Sequence, residues 1–178
     1  MNLISEIHPT YYILIIIISI ALYTDATKYK IYNWLTFPSL FLGFIASFFN
    51  GVGFFNSFIG FLIAFSISFA MYATKGIKAG DVKLMASIGA WLGNSLIITN
   101  LLYIFISGGI LGILFALKNG TLIPTLNKIY RFFFALFSSG MDAKEEVRET
   151  INKPMPYGLA IFVGTILTLI YPNFVFKI

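Results

Sequence analysis

The 178-residue chain has no cysteine and a single histidine, His8. The lack of cysteine excludes disulfide bonds and thiolate metal sites, and one histidine cannot build a metal centre alone. Charged residues are also scarce: they occupy 11% of positions, whereas soluble domains usually have about a quarter. Because 58% of the residues are hydrophobic, the composition predicts a protein that lies largely within a lipid bilayer.

Acidic residues are the scarcer charged type, and the chain carries a net charge of +5. Between Ile7 and Met141 the only acids are Asp25 and Asp81. The basic residues lie between apolar runs, so orientation in a membrane explains them better than a nucleic-acid partner does. An ionisable side chain beside the lipid boundary is a candidate for function, and two such side chains are stronger candidates.

The apolar runs predict an all-α integral membrane protein, a bundle of about six transmembrane helices in one domain over residues 1–178. The first run lacks the basic leading region and the cleavage site of a signal peptide. Residues 118–153 are more polar and predict a cytoplasmic or interfacial helical insertion between the fifth and sixth spans. The predicted spans cover residues 7–23, 34–49, 55–72, 84–92 (or to 98), 100–117 and 155–171.

The distribution of charge predicts how the bundle is oriented. With six spans, the loops after the first, third and fifth span share one side and hold nearly all lysines and arginines, whereas the other side holds only Lys177. The positive-inside rule makes the basic side cytoplasmic, so both termini are predicted to lie outside. Asp25, in the predicted loop 24–33, and Asp81, in the predicted loop before Leu84, therefore both lie at the cytoplasmic face.

Other polar and aromatic residues have simpler interpretations. Lys78 and Lys83 are predicted mainly as anchors of the inside-positive topology, although each is also a candidate to hold a carboxylate ionised or to contact substrate. Trp34 and Trp91 are predicted to be interfacial aromatics.

Two neighbouring carboxylates can share one proton, because two like charges a few Å apart are costly. The ionised member can take a proton from water while the protonated member donates to a carbonyl oxygen, which is aspartyl peptide hydrolysis. Gly80, beside Asp81, is predicted to let an extended substrate approach the backbone. The alternatives are a solvated loop acid, or a transporter that uses Asp25 and Asp81 as proton or cation sites, although transporter acids are expected near the bilayer midplane.

Three segments resemble the type IV prepilin peptidases, which are GxGD intramembrane aspartyl proteases. AGDVKLMA at 79–86 with GAWLG at 89–93 resembles the family signature. Asp25 followed by KIYNWL at 30–35 resembles the first-aspartate segment, and PYGLA at 156–160 with Gly164 resembles a segment near the family's C-terminus. The resemblance covers the first, fourth and last predicted spans.

The resemblance implies a peptidase that cleaves the basic leader from type IV prepilin or pseudopilin precursors at the cytoplasmic face of the bacterial inner membrane. It implies that Asp25 and Asp81 are catalytic and that no metal or cofactor is needed. The precursor's transmembrane helix and the lipid bilayer are the expected partners, and nucleic acid is not. Residues expected to bind substrate or shape the site are Ala79, Gly80, Lys83, Pro156, Tyr157 and Gly158.

The chain departs from the family pattern in two ways. Lys78 stands where the motif has its first glycine, which leaves an inactive homologue that binds pilin subunits as a further alternative. The chain also has no cysteine, whereas long family members carry a domain with paired Cys-x-x-Cys motifs and methylate their product. It therefore resembles the short, peptidase-only members.

Overall fold

The computed structural model describes residues 8–73, 76–118, 120 and 156–172, and the regular structure within these ranges is entirely α-helical. The helices are α1 (Thr10–Lys28), α2 (Asn33–Ala46), α3 (Phe54–Ala73), α4 (Ala79–Lys118) and α5 (Gly158–Ile170). Helices α1, α3 and α4 are long and apolar enough to span a membrane, and α2 and α5 are shorter apolar helices. The predicted all-α membrane class is confirmed at this level, and the count of six spans stays a prediction.

The described residues belong to two compact units. The first comprises Met1–Gly108 with Pro156–Ile178 and contains both aspartates. The second is Gly109–Met155, of which residues 109–118 and 120 are described. The predicted interfacial helix at 129–137 and charged helix at 142–151 lie outside the described residues.

Helix α4 is interrupted at Gly93, whose φ of 69° and ψ of −176° are not helical. Glycine tolerates this backbone conformation, which other residues avoid. A straight helix would separate Asp81 from Gly108 by about 40 Å. Instead, the Tyr157 ring lies against Gly108, and Tyr157 is also close enough to Asp81 for the carboxylate charge to act on its hydroxyl. Asp81 and Gly108 are therefore much closer than in a straight helix, and the chain folds back at Gly93. The predicted fourth span ended at Leu92 or continued to Ile98, and the observed break at Gly93 agrees with the first of these bounds.

The first segment of α4 lies at the centre of the packed helices. Apart from Lys83, every residue from Asp81 to Gly93 is buried. Trp91 is fully buried and its indole Nε1 donates to the Ser39 carbonyl over 2.9 Å. The prediction of an interfacial Trp91 is therefore wrong, because this indole finds its hydrogen-bond acceptor inside the bundle, whereas Trp34 is 62% exposed.

Both aspartates lie within helices and not in the predicted loops. Helix α1 continues past Asp25 to Lys28 and ends at Tyr29, which is left-handed (φ 51°) and donates its N–H to the Asp25 carbonyl over 2.9 Å. Helix α4 begins at Ala79, so Asp81 lies in its first turn. Hydropathy placed the end of α1 and the start of α4 too far into the apolar runs, because both helices continue through the polar residues that flank those runs.

Candidate active site

Asp81 caps the helix that carries it. Its Oδ2 accepts the backbone N–H of Lys78, the residue before α4, over 2.8 Å. This contact is one half of a capping box, and a negative charge in the first turn also suits the helix dipole. Asp81 is 1% exposed, and its Oδ1 is buried with no hydrogen-bond partner among the described residues. Oδ2 therefore holds the carboxylate in place, while Oδ1 has no competing hydrogen bond among the described residues.

Asp25 is held by two donors from other parts of the chain. Its Oδ2 accepts the backbone N–H of Gly158, the first residue of α5, over 2.7 Å. Its Oδ1 lies 3.5 Å from the Lys78 ammonium nitrogen. Asp25 is fully buried, so these donors offset the cost of removing its carboxylate from water.

Lys78 connects the two aspartates. Its backbone N–H binds Asp81, whereas its Nζ lies beside Asp25 and also donates to the Tyr29 carbonyl over 3.0 Å. The carboxylates are near enough for the charge of Asp25 to act on Asp81. The sequence favoured a role for Lys78 as a topology anchor over a role beside a carboxylate. Its spacing of three residues before Asp81 is that of a capping box, which could have indicated the backbone bond but not the ion pair with Asp25.

The predicted residues Ala79, Gly80 and Lys83 on α4 line the same cleft as Asp81, but the contacts of Gly80 and Lys83 are with other parts of the chain. Gly80 is helical, and a Cβ at this position would lie 3.1 Å from both the Cβ and the carbonyl oxygen of Ile31, so its closest neighbour is the chain itself. Lys83 donates to Asn33 Oδ1 over 2.8 Å, which ties α4 to the start of α2. Ala79 opens α4 and lines an open cleft of about 290 Å³ that also includes Asp81.

Of the predicted residues near the C-terminus, Gly158 contacts Asp25. Gly158 is the N–H donor described above, and a Cβ on it would lie 3.0 Å from both Cβ and Oδ2 of Asp25. Tyr157 lies against Gly108, and Pro156 precedes it at the start of the described C-terminal residues. The structure therefore brings Asp25, Asp81, Lys78 and residues 157–158 to one end of the bundle.

Comparison with known proteins identifies the family. A family model described as the type IV leader peptidase family matches residues 12–117. The chain belongs to this family. Searches of curated proteins and of solved structures give no match. In this leader peptidase family member the matched range includes both aspartates and Lys78, whereas residues 156–158 lie beyond it. Membership supports a leader-peptidase type of activity, aspartic in class, in a membrane protein.

Proposed function

We propose that the protein is an intramembrane aspartyl endopeptidase that removes the basic leader from type IV prepilin or pseudopilin precursors. The observation that carries this proposal is the convergence of two buried carboxylates, Asp25 and Asp81, around Lys78. These are the only acids over more than a hundred residues of the printed sequence, and they belong to helices far apart in the chain. Family membership supplies the reaction class.

In the proposed reaction the two carboxyl groups share one proton. The ionised group takes a proton from water as the water oxygen bonds to the scissile carbonyl carbon, and the protonated group donates its proton to the carbonyl oxygen. The C–N bond of the resulting diol then breaks. The leaving amine takes the proton that the first carboxylate received, and the second carboxyl group regains its proton from the diol. No covalent intermediate or metal is required.

The proposed substrate approaches from the cytoplasmic side of the bacterial inner membrane. The cleft at the start of α4 includes the buried Asp81 in its lining, so an entering chain would reach this carboxylate there, and the apolar helix of the precursor would lie along the bundle. We propose that Ala79, Gly80 and Lys83 border this entry. Pro156, Tyr157 and Gly158 would form the side of the site next to Asp25. Charge counting supports this orientation, with both termini outside.

Cleavage of candidate prepilins in liposomes tests the proposal. Wild type, Asp25→Asn and Asp81→Asn are compared with chelator present throughout, and Glu6→Gln serves as the matched control for loss of an acid. We expect wild type and Glu6→Gln to cleave, and both aspartate variants to lose at least about a thousandfold in rate, since each removes one half of the acid–base pair.

Each alternative function predicts a different result. Cleavage that persists in both aspartate variants would refute the two-aspartate mechanism. If wild type binds several precursors without cleaving any, the pilin-binding homologue is supported. A transporter would cleave nothing and would carry protons or cations in a manner that depends on Asp25 and Asp81.

A further inference from the structure

The side chain of Lys78 makes the environments of the two aspartates unequal. Asp25 has a backbone N–H from Gly158 on one oxygen and the Lys78 ammonium 3.5 Å from the other. Asp81 has one backbone N–H on Oδ2 and no partner among the described residues on its buried Oδ1. Each carboxylate therefore has one amide from a helix start, and the Lys78 ammonium is in contact with Asp25, whereas it acts on Asp81 only through its charge at a longer distance.

We propose that Lys78 is a positioning residue that keeps Asp25 ionised, so that Asp25 is the general base and Asp81 carries the shared proton. The roles of base and acid rest on the proposed function, but the charge states of the two aspartates can be tested without substrate. A protonated Asp81 also gives its unpartnered Oδ1 a role, because a carboxylic O–H can donate to a substrate carbonyl whereas a carboxylate cannot.

Other charged and titratable groups around the pair do not reverse the assignment. On the α1 side, Tyr29 accepts a hydrogen bond from Lys78 through its carbonyl, which holds the ammonium at Asp25. From the start of α5, Tyr157 lies within range of the Asp81 charge. From α4, Lys83 binds Asn33 and not a carboxylate. Lys78 is thus the cation paired with the site within the described residues.

The opposite role for Lys78 would be a latch that neutralises Asp25 and suppresses cleavage. Two features oppose it. The Lys78 side chain is 36% exposed, so it lies at the edge of the site and not between the carboxylates. Its second bond, to the Tyr29 carbonyl, holds the ammonium through an acceptor that is not part of the carboxylate pair.

Infrared titration of the protein in detergent tests the charge assignment directly. On acidification from alkaline pH, we expect wild type to show first the carbonyl band of one protonated carboxylic acid, and Asp81→Asn to lack that first band. In the Asp81→Asn background, the band of Asp25 should appear on acidification, and adding Lys78→Met should move its midpoint up by about one pH unit, as expected for loss of an adjacent opposite charge.

Matched variants separate charge from structure. Lys78→Arg keeps the cation and should leave the midpoint in place, and so should Lys83→Met, which removes a lysine from the same cleft. All three substitutions retain the backbone N–H that caps Asp81. A first carboxylic acid band that is unchanged in Asp81→Asn, or an unchanged midpoint in Lys78→Met, would overturn the proposal.

The cleavage assay then connects the assignment to catalysis. In Lys78→Met the acid limb of the pH–rate profile should move to higher pH by a similar amount, and Lys78→Arg should restore it. Faster cleavage by Lys78→Met at every pH would indicate a latch and overturn the proposal. If the infrared results are as expected but wild type cleaves no precursor, the proposed function fails and the charge assignment stands.

Discussion

At the scale of single residues, Gly158 determines how closely α5 approaches Asp25. Its N–H donates to the carboxylate over 2.7 Å, and the space where a side chain would begin is already occupied by Asp25. Alanine at this position would keep the backbone N–H donor but would add a Cβ close to Asp25. The hydrogen bond therefore requires only the backbone N–H, whereas the close approach of α5 requires the absence of a side chain.

We expect Gly158→Ala to lower cleavage on the order of a hundredfold, since small misplacements of a reacting group have effects of that size. The added Cβ, 3.0 Å from the Cβ and Oδ2 of Asp25, must push the carboxylate or the start of α5 away. Initial rates with a prepilin substrate measure the effect.

Gly112→Ala is the matched control, because a Cβ at Gly112 meets nothing within 4 Å. Cleavage by this variant should stay near wild type. Equal losses in both variants, or none in Gly158→Ala, would contradict the role given to Gly158.

The sequence was sufficient to select Asp25 and Asp81, because rare acids in an apolar chain stand out. It was not sufficient to assign Lys78, since counting charges by loop treats every lysine as an orientation signal. The ion pair with Asp25 joins residues 53 positions apart and depends on the packing of α1 against the start of α4. Trp91 was misplaced for a similar reason, since its partner Ser39 lies 52 positions away.

At the scale of helices, a buried polar contact joins α4 to α5. The Asn100 amide donates to the hydroxyls of Thr165 (3.3 Å) and Thr168 (3.1 Å), and all three residues are fully buried. Both hydroxyls also donate to carbonyls of their own helix. Hydrogen bonds of this kind between membrane helices contribute modestly to stability, at about 1 kcal/mol.

Asn100→Leu should therefore lower the free energy of unfolding by no more than about 1 kcal/mol, because removal of the buried Asn100 Oδ1, which has no partner among the described residues, offsets part of the lost bonding. Cleavage should persist, because the threonine hydroxyls keep their own acceptors. Reversible unfolding in mixed micelles measures the change. Asn94→Leu, at an exposed position early in the same helical segment, is the control and should be close to neutral. A larger loss for Asn94→Leu than for Asn100→Leu would refute the contact's contribution.

The existence and type of the described helices followed from apolar runs, whereas their ends did not. Hydropathy averages over a window, but helix ends depend on single contacts such as the Lys78–Asp81 cap and the left-handed Tyr29. The sequence predicted a span that ends at residue 92 or 98. It could not determine where the chain folds back, because this depends on the backbone conformation of Gly93.

At the scale of the whole molecule, the orientation of the chain in the membrane can be tested by labelling single introduced cysteines, because the natural sequence has none. Single cysteines at Lys28 and Lys177 would be the only thiols in the chain. We expect a membrane-impermeant maleimide to label Lys177→Cys in intact cells, and Lys28→Cys only after permeabilisation, as the positive-inside rule requires. The reverse pattern, or labelling of both from outside, would contradict the proposed topology.

The bond between Asp25 and Gly158 joins positions 133 residues apart, so it also sets an order of events during synthesis. Asp25 enters the membrane early, but its amide donor reaches it only when the ribosome has made the beginning of α5. A nascent chain that ends within α4 already carries both aspartates and yet lacks the contact that orients one of them. The site of the proposed protease is therefore complete only after the beginning of α5 has been made.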